Sequence, residues 1–163
     1  MKKVIFTLLA IVAFAASASA QNALGARINV DYDANLDFGA ELSYQHGFSD
    51  KNRLELDFGW LGHKHYSEFS ATGIYQWTFN IVGNFGWFIG VGGNIGIWSS
   101  SNYTDVTLSV CGQGGIEYKF DAVPLKLSLD YRPMAYLFFP EDHYGDANRI
   151  HLGALAFGVR YCF

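Results

Sequence analysis

The sequence LKLSLDYR, residues 125–132, alternates strictly between apolar and polar side chains. Because successive side chains of a β-strand point to opposite sides, its leucines and tyrosine would share one face and its polar residues the other. The same alternation recurs seven more times after residue 20, in segments separated by turn residues. Together the segments are 24–32, 36–44, 53–60, 69–77, 85–97, 106–120, 125–132 and 155–163. Eight segments of this kind predict an all-β protein.

The composition narrows the class of protein. The chain has 163 residues, a length that predicts one domain, and it is 17% aromatic but only 16% charged. Few charges and many aromatic residues exclude a disordered chain and a coiled coil. A formal net charge of −4 argues against nucleic-acid binding, since such proteins are normally basic. Two cysteines are too few for a disulfide scaffold.

The first twenty residues have the three parts of a secretory signal peptide. Two lysines follow the first methionine, an apolar run covers residues 4–16, and Ala18-Ser19-Ala20 offers the small residues after which a signal peptidase cleaves. The apolar run is shorter than the roughly 20 residues of a transmembrane helix. We therefore predict a cleaved signal peptide at 1–20 and a β-barrel domain at 21–163.

The position of the large side chains distinguishes a soluble barrel from a membrane barrel. In a soluble eight-stranded barrel or sandwich the apolar faces point inward, and this many aromatic rings would overfill the interior. The aromatic residues instead cluster at the strand ends, with aliphatic residues between them. One group is Tyr44, Tyr75, Trp77, Phe85, Trp87, Tyr118, Phe120, Tyr161 and Phe163, and the other is Tyr32, Phe38, Trp60, Phe69 and Tyr131. Two aromatic belts predict an eight-stranded antiparallel up-and-down transmembrane β-barrel.

The whole mature chain resembles the small bacterial outer-membrane β-barrel proteins. The segments 41–56, ELSYQHGFSDKNRLEL, and 127–133, LSLDYRP, resemble the Bacteroidota-type members. The chain ends on Phe163 with Tyr161 two residues before it, which is similar to the aromatic signal that the barrel-assembly machinery reads. The resemblance implies an outer-membrane location, contact with outer-membrane lipids, and assembly by that machinery with periplasmic chaperones. It does not imply one particular function.

Strand alternation assigns thirteen charged residues to the barrel interior. They are Arg27, Arg53, Lys119, Lys126, Arg132 and Arg160, with Asp31, Asp37, Glu41, Glu55, Asp57, Glu117 and Asp130. Because an unpaired buried charge is costly, we expect these residues to pair across the lumen, with the glycines at 86, 90, 92 and 96 leaving room for the long basic side chains. A selectivity filter favours rings of one sign. The nearly equal numbers of basic and acidic residues therefore favour a closed lumen, and a narrow small-solute channel stays an alternative.

Two polar groups outside the strands are candidates for chemistry. His65, Ser67 and Glu68 loosely resemble the His-x-Ser element of outer-membrane lipid A deacylases, so a lipid A-modifying enzyme is a second alternative. The surrounding motif is missing, and a triad is defined by its geometry. The candidate metal ligands, which lack the spacing of zinc sites, are His63, His65, Glu141, Asp142, His143, Asp146 and His151. We predict no catalytic residue, no metal and no cofactor.

The outer rim of the predicted barrel is uneven. The runs 85–98, 105–120 and 125–139 exceed the roughly 9–11 residues that cross a bilayer, whereas the hairpin at 33–35 is short. Tyr136, Leu137, Phe138 and Phe139 lie beyond the outer aromatic belt. They would either offer an apolar patch to an extracellular partner or fold inward over the lumen. We predict a structural or surface-interaction role, in adhesion or binding.

Both cysteines take inward positions in the predicted strands. At about 3.3 Å per residue and a strand tilt near 40°, Cys111 and Cys162 would differ in height by roughly 20 Å. A disulfide requires Cα atoms within about 7 Å of each other. We therefore predict two free thiols.

Overall fold

The computed structural model describes residues 22–31, 37–62, 66–100, 104–138, 150–152 and 154–163. These residues form ten β-strands, all paired antiparallel. The strands are β1 (Ala23–Asp31), β2 (Asp37–Ser49), β3 (Asn52–Gly62), β4 (Tyr66–Val82), β5 (Phe85–Ser100), β6 (Thr104–Lys119), β7 (Leu125–Tyr131), β8 (Met134–Phe138), β9 (Ile150–His151) and β10 (Ala154–Cys162). Within these ranges there is no helix long and apolar enough to cross a membrane.

The strands close into a barrel. Strands β1 to β6 pair in chain order, and β10 pairs with β1. The seventh barrel strand is divided into β7 and β8, which both pair with β6, and the eighth is divided into β9 and β10. The predicted eight-stranded antiparallel transmembrane β-barrel is confirmed. Closure leaves no unpaired strand edge facing lipid, where backbone groups would find no water to bond.

Pro133 divides the seventh barrel strand without interrupting its contact with β6. The proline has no N–H group to donate, but its carbonyl oxygen accepts a hydrogen bond of 3.0 Å from the Gly112 N–H. β8 then continues the pairing with β6 as far as Leu108, which lies opposite Phe138. Tyr131 therefore lies part of the way along a longer strand, opposite Leu155 of β10, and its place in the outer aromatic belt stays a prediction.

The first described residue, Asn22, and Phe163 lie together at one end of the barrel, here called the terminal end. Asn22 and Phe163 exchange backbone hydrogen bonds of 3.3 and 2.9 Å there. The tight β4–β5 turn is at the same end, and Gly83 in it has a φ of +55°, which glycine adopts without strain. The opposite end, called the loop end, carries the connections 32–36, 63–65, 101–103 and 139–149, which lie outside the described residues.

The outer surface carries large apolar side chains over the middle of the barrel. Ile95, Val110 and Leu129 are each 44 to 52% exposed, which would be costly in water but suits contact with lipid tails. Aromatic pairs line the terminal end: Phe79 stacks on Trp87 at 4.4 Å between ring centroids, Tyr75 meets Trp77 edge-on at 5.1 Å, and Tyr118 meets Phe120 at 5.0 Å. Towards the loop end Phe38, Trp60 and Phe69 are exposed. The exterior thus has an aliphatic band between two aromatic zones.

One side of the barrel has much longer strands than the other. β4, β5 and β6 have 17, 16 and 16 residues, whereas β1 and β10 have 9 each. Strands β5 and β6 were expected to be long, but β4 was predicted only over 69–77. Its additional residues at the terminal end pair with β5 as far as Val82 opposite Phe85. Polar–apolar alternation weakens there because both faces of the hairpin are exposed beyond the lumen.

Candidate functional site: the charged lumen and the two barrel ends

Charged side chains fill the barrel interior. Arg27, Glu55, Asp57, Asp130 and Arg160 are each 2% exposed or less, and they come from β1, β3, β7 and β10. Every second residue of each strand points inward, so neighbouring strands bring these side chains to the same axis. Burial of so many charges is tolerated only where each meets an opposite charge and hydrogen-bonding partners.

The first group of ion pairs has two guanidinium groups at its centre. Arg27 donates to the carboxylates of Glu41 and Asp130, and its Nη1 lies 3.3 Å from Asp57 Oδ2. Arg132 also contacts Glu41, at 3.4 Å, and donates to Asp57. Two cations and three anions are therefore joined into one group that connects strands β1, β2, β3 and β7 with the residue that follows β7.

The second group centres on Arg160. Its Nη2 donates to Glu55 Oε2 at 3.0 Å, and its Nε and Nη1 donate to the hydroxyls of Ser43 and Ser128 at 2.9 and 2.7 Å. The neighbouring inward residue of β10 is Gly158, and a Cβ atom there would lie 2.7 Å from Arg160 Nη1. A glycine at this position is what leaves room for the guanidinium group.

The third group lies nearest to the terminal end. Arg53 Nη1 is 2.7 Å from Glu117 Oε2, and Arg53 Nε donates to the Gln76 side chain. The Arg53 guanidinium carbon also lies 4.9 Å from the centroid of the Phe88 ring, which is a cation–π contact. Lys126 Nζ lies 3.8 Å from the same Glu117 oxygen.

The interior also contains two large apolar residues that sequence reasoning missed. Ile74 and Phe88 are 0 and 1% exposed, on the same inward face as the charges. The glycines of β5 were expected to make room for basic side chains, yet a Cβ on Gly90 would lie 2.7 Å from Ile74 Cγ2. Similarly, a Cβ on Gly115 would lie 2.8 Å from Phe88 Cζ. The signal was available, because both residues interrupt the polar face of their strands.

Ten of the thirteen residues assigned to the lumen take part in these groups, and their formal charges sum to zero. They are Arg27, Arg53, Lys126, Arg132 and Arg160, with Glu41, Glu55, Asp57, Glu117 and Asp130. Lys119 differs from the expectation, because β6 ends there and its side chain is exposed at the terminal end. Asp31 and Asp37 are backbone partners in β1 and β2, and their side chains lie outside the described part.

The residues considered for catalysis are only partly described. Ser67 and Glu68 lie within β4, opposite Gly62 and Leu61, and not in the loop where sequence reasoning placed them. His65 and the side chains of Ser67 and Glu68 lie outside the described part of the chain. The proposed grouping of these three side chains therefore stays a prediction.

The described residues contain no group of three His, Cys, Asp or Glu side chains that could hold a metal ion. His151 lies in β9 opposite Met134. The other residues considered as ligands lie outside the described ranges: His63, His65, Glu141, Asp142, His143 and Asp146.

Pairing with β6 defines the positions of two of the outer-rim residues, Tyr136 and Phe138. Tyr136 is half-buried opposite the inward-facing Ser109, whereas Leu137 and Phe138 are 60 and 61% exposed. Phe138 lies opposite Leu108, a residue of the apolar exterior. Phe138 therefore extends the outer apolar surface towards the loop end, and Leu137 lies at the register shift between these two pairs. Phe139 lies outside the described residues.

The end of the chain and the cysteines are at defined places. Tyr161 is exposed on the outer surface and stacks on Phe163 with 6.4 Å between ring centroids. Both cysteines are free: Cys111 is buried in the lumen and Cys162 is half-buried at the terminal end. The aromatic pair thus lies on the lipid-facing side of the strand that closes the barrel against β1.

Comparison with known proteins supports the fold alone. No family model matches the chain, and no curated protein matches it in sequence. Neisserial surface protein A is 14% identical, with a TM-score of 0.62 over 89% of this chain and 98% of that chain. The N-terminal β-barrel domain of Pseudomonas aeruginosa OprF is 11% identical, with a TM-score of 0.64 over 89% and 98%. Ail, the attachment invasion locus protein of Yersinia pestis, is 14% identical, with a TM-score of 0.55 over 88% and 97%. The chain shares the fold of these small eight-stranded outer-membrane barrels.

Proposed function

We propose that this chain is an integral outer-membrane barrel with a closed lumen and a structural or surface-interaction role, in adhesion or binding. The observation that carries the proposal is the neutral network of ten charges in the lumen, all of them buried except the half-buried Glu117. A lumen filled by paired side chains of both signs offers neither a continuous water path nor a ring of one sign to select ions. The surfaces left for function are the lipid-facing exterior and the two ends.

The outward orientation of the loop end supports an interaction role. In barrels of this fold the short turns face the periplasm and the longer connections face outward. The segment 139–149 is the longest connection at the loop end, and it follows directly on the exposed Leu137 and Phe138. We place the extracellular partner surface at this segment and at the rim beside it. Among the proteins of similar fold, one is named a surface protein and another an attachment invasion locus protein.

Export and assembly follow from the two ends of the sequence. We infer that residues 1–20 are removed as a signal peptide, and that the Tyr161–Phe163 pair is read by the barrel-assembly machinery after delivery by periplasmic chaperones. We also assign the chain to the Bacteroidota-type group of these barrels, on the strength of the segments 41–56 and 127–133. Mass analysis of protein from outer membranes should give a chain that begins at Gln21. A chain that retains residues 1–20 would contradict the proposed removal of the signal peptide.

Two experiments test the proposed function. Purified protein in a planar lipid bilayer should show no stable conductance steps, and reproducible ohmic steps would favour the channel alternative. Proteoliposomes carrying the barrel should bind to cultured cell layers, and replacement of 139–149 by a glycine-serine linker should abolish binding. Replacement of 101–103 is the matched control at the same end. Equal binding by the 139–149 variant and the unaltered barrel would refute the placement of the partner surface.

A further inference from the structure

A cavity of about 220 Å³ opens at the terminal end, opposite to the proposed partner surface. Its walls include Asn22, Arg53, Lys119 and Lys126, with Glu117 and Asp50 as the acidic residues. Arg53 and Lys126 are 6 and 9% exposed. Two of the three cationic groups in the wall, Arg53 and Lys126, are therefore largely withdrawn from water before any ligand arrives, whereas Lys119 is exposed.

A row of like charges crosses the sheet beside this cavity. Lys126 is the direct cross-strand partner of Lys119 on β6 and of Arg160 on β10, so three cations follow one another on neighbouring strands. Like charges directly opposite each other destabilise a sheet. Glu55 neutralises Arg160 at 3.0 Å, but no carboxylate of the described residues comes closer to Lys126 than Glu117 at 3.8 Å. With Arg53, Lys119 and Lys126 against Glu117 and Asp50, the wall of the cavity has a formal charge of +1.

The walls hold hydrogen-bond donors that the described protein does not use. Lys126 Nζ has only its long ion pair with Glu117, which is already bound by Arg53 at 2.7 Å. Arg53 Nη2 is buried and has no hydrogen-bond partner among the described residues. The same holds for Asn22 Nδ2, because the amide oxygen of that residue is turned to His46 Nδ1 at 2.8 Å. Arg53 Nη2 and Asn22 Nδ2 therefore lack an acceptor among the described residues, while Lys126 Nζ has its 3.8 Å ion pair.

We propose that this cavity binds an anion, through a carboxylate or phosphate group that enters from the side of the terminal end. Such a group supplies acceptor oxygens for Arg53 Nη2 and Asn22 Nδ2, and it places a negative charge beside Lys126. Hydrogen bonds between charged partners are the strong ones, and withdrawal from water makes them stronger. The volume is enough for one such group with several water molecules, but it is below that of pockets for drug-sized ligands. The site is independent of the proposed function at the loop end.

The test uses the folded barrel in lauryldimethylamine oxide micelles, whose head groups carry neither phosphate nor carboxylate. Sodium phosphate and sodium N-acetylglycinate are titrated separately at constant ionic strength, with chloride as the balancing anion. Nuclear magnetic resonance follows the backbone amides of Asn22, Thr78, Lys126 and Cys162. Saturable shifts are expected at these positions, and the probe that saturates shows whether phosphate, carboxylate or either group is accepted.

Variants distinguish binding in this cavity from general electrostatic attraction of anions to the terminal end of the barrel. Lys126→Gln should weaken binding about tenfold or more, because it removes a hydrogen bond between charged partners. Lys126→Arg should retain binding, and Lys51→Gln, an exposed lysine of the β2–β3 turn, should leave it unchanged. Asn22→Asp keeps the shape of the side chain but places a carboxylate in the cavity wall, so it should abolish anion binding. This variant keeps the proposal testable if Lys126→Gln does not fold. Shifts that rise linearly, or that are the same in Lys126→Gln and the unaltered protein, would overturn the proposal.

Discussion

Replacement of Arg27 by methionine should be among the most damaging single changes in the lumen. Arg27 is 1% exposed and contacts three carboxylates, those of Glu41, Asp57 and Asp130. Glu41 and Asp57 keep a second cation, Arg132, but Asp130 keeps only the Gln113 amide at 2.8 Å. The variant therefore leaves one buried carboxylate without a cation. Removal of one partner from a buried pair costs about 3–5 kcal/mol, and we expect a loss in that range.

The assay is equilibrium unfolding by urea in lipid vesicles, followed by tryptophan fluorescence. The double variant Arg27→Met/Asp130→Asn makes the network neutral again with a nearly isosteric amide, so it should recover about 2 kcal/mol or more of the loss. Lys51→Met, in an exposed turn, should change stability by less than about 0.5 kcal/mol. A loss below about 1 kcal/mol for Arg27→Met, or strict additivity in the double variant, would refute the reasoning.

Three further predictions follow from the two faces of the sheet. Val110→Arg places a charge in the apolar band and should lower the free energy of unfolding in vesicles by about 2–4 kcal/mol. Ile81→Arg, beyond the terminal aromatic zone, should lower it by less than about 1 kcal/mol. Equal losses would mean that the apolar band is misplaced. Gly158→Ala puts a Cβ 2.6 Å from the Ser128 hydroxyl and should lower the free energy of unfolding by about 1–3 kcal/mol. Gly73→Ala, on the exterior, meets nothing closer than 3.6 Å and should leave the stability nearly unchanged. A larger loss for Gly73→Ala than for Gly158→Ala in the same assay would contradict the packing. Alkylation of unfolded, non-reduced protein should modify both cysteines by intact mass, and a mass lower by two hydrogens with no label would indicate a disulfide.

Alternation of side chains predicted the strands and their two faces, and the positions of the aromatic residues then predicted a transmembrane barrel. In β7 each apolar residue faces lipid and each polar residue faces the lumen, as the positions of Leu129 and Asp130 show. A period of two assigns faces without any knowledge of which strands are neighbours. The number of barrel strands followed because hairpins connect successive segments, and the closure follows from the requirement that no strand edge meets lipid.

The pairs inside the lumen could not be predicted from the sequence. Arg27 bonds to Asp130, which is 103 residues away, and the choice depends on the register of every strand between them. Alternation assigns position 88 to the inward face, but it does not reveal that the Phe88 ring fills the space that Gly115 leaves on the next strand. The continuation beyond Pro133 agrees with the expected long run 125–139, but the carbonyl contact with Gly112 that carries the pairing past the proline is a tertiary feature.

The ion pairs that span the junction of β1 with β10 bear on the order in which the barrel forms. Arg27 on β1 reaches Asp130 on β7, and Arg160 on β10 reaches Ser43 on β2, so both bonds cross the line where the first and last strands meet. Neither can form until the two ends of the chain have come together. An open sheet in the bilayer must keep these side chains hydrated, and joining its edges expels that water in one step. Closure is therefore expected to be cooperative. In the closed barrel, side-chain bonds in the lumen stabilise the junction of β1 with β10 in addition to the backbone hydrogen bonds between the two strands.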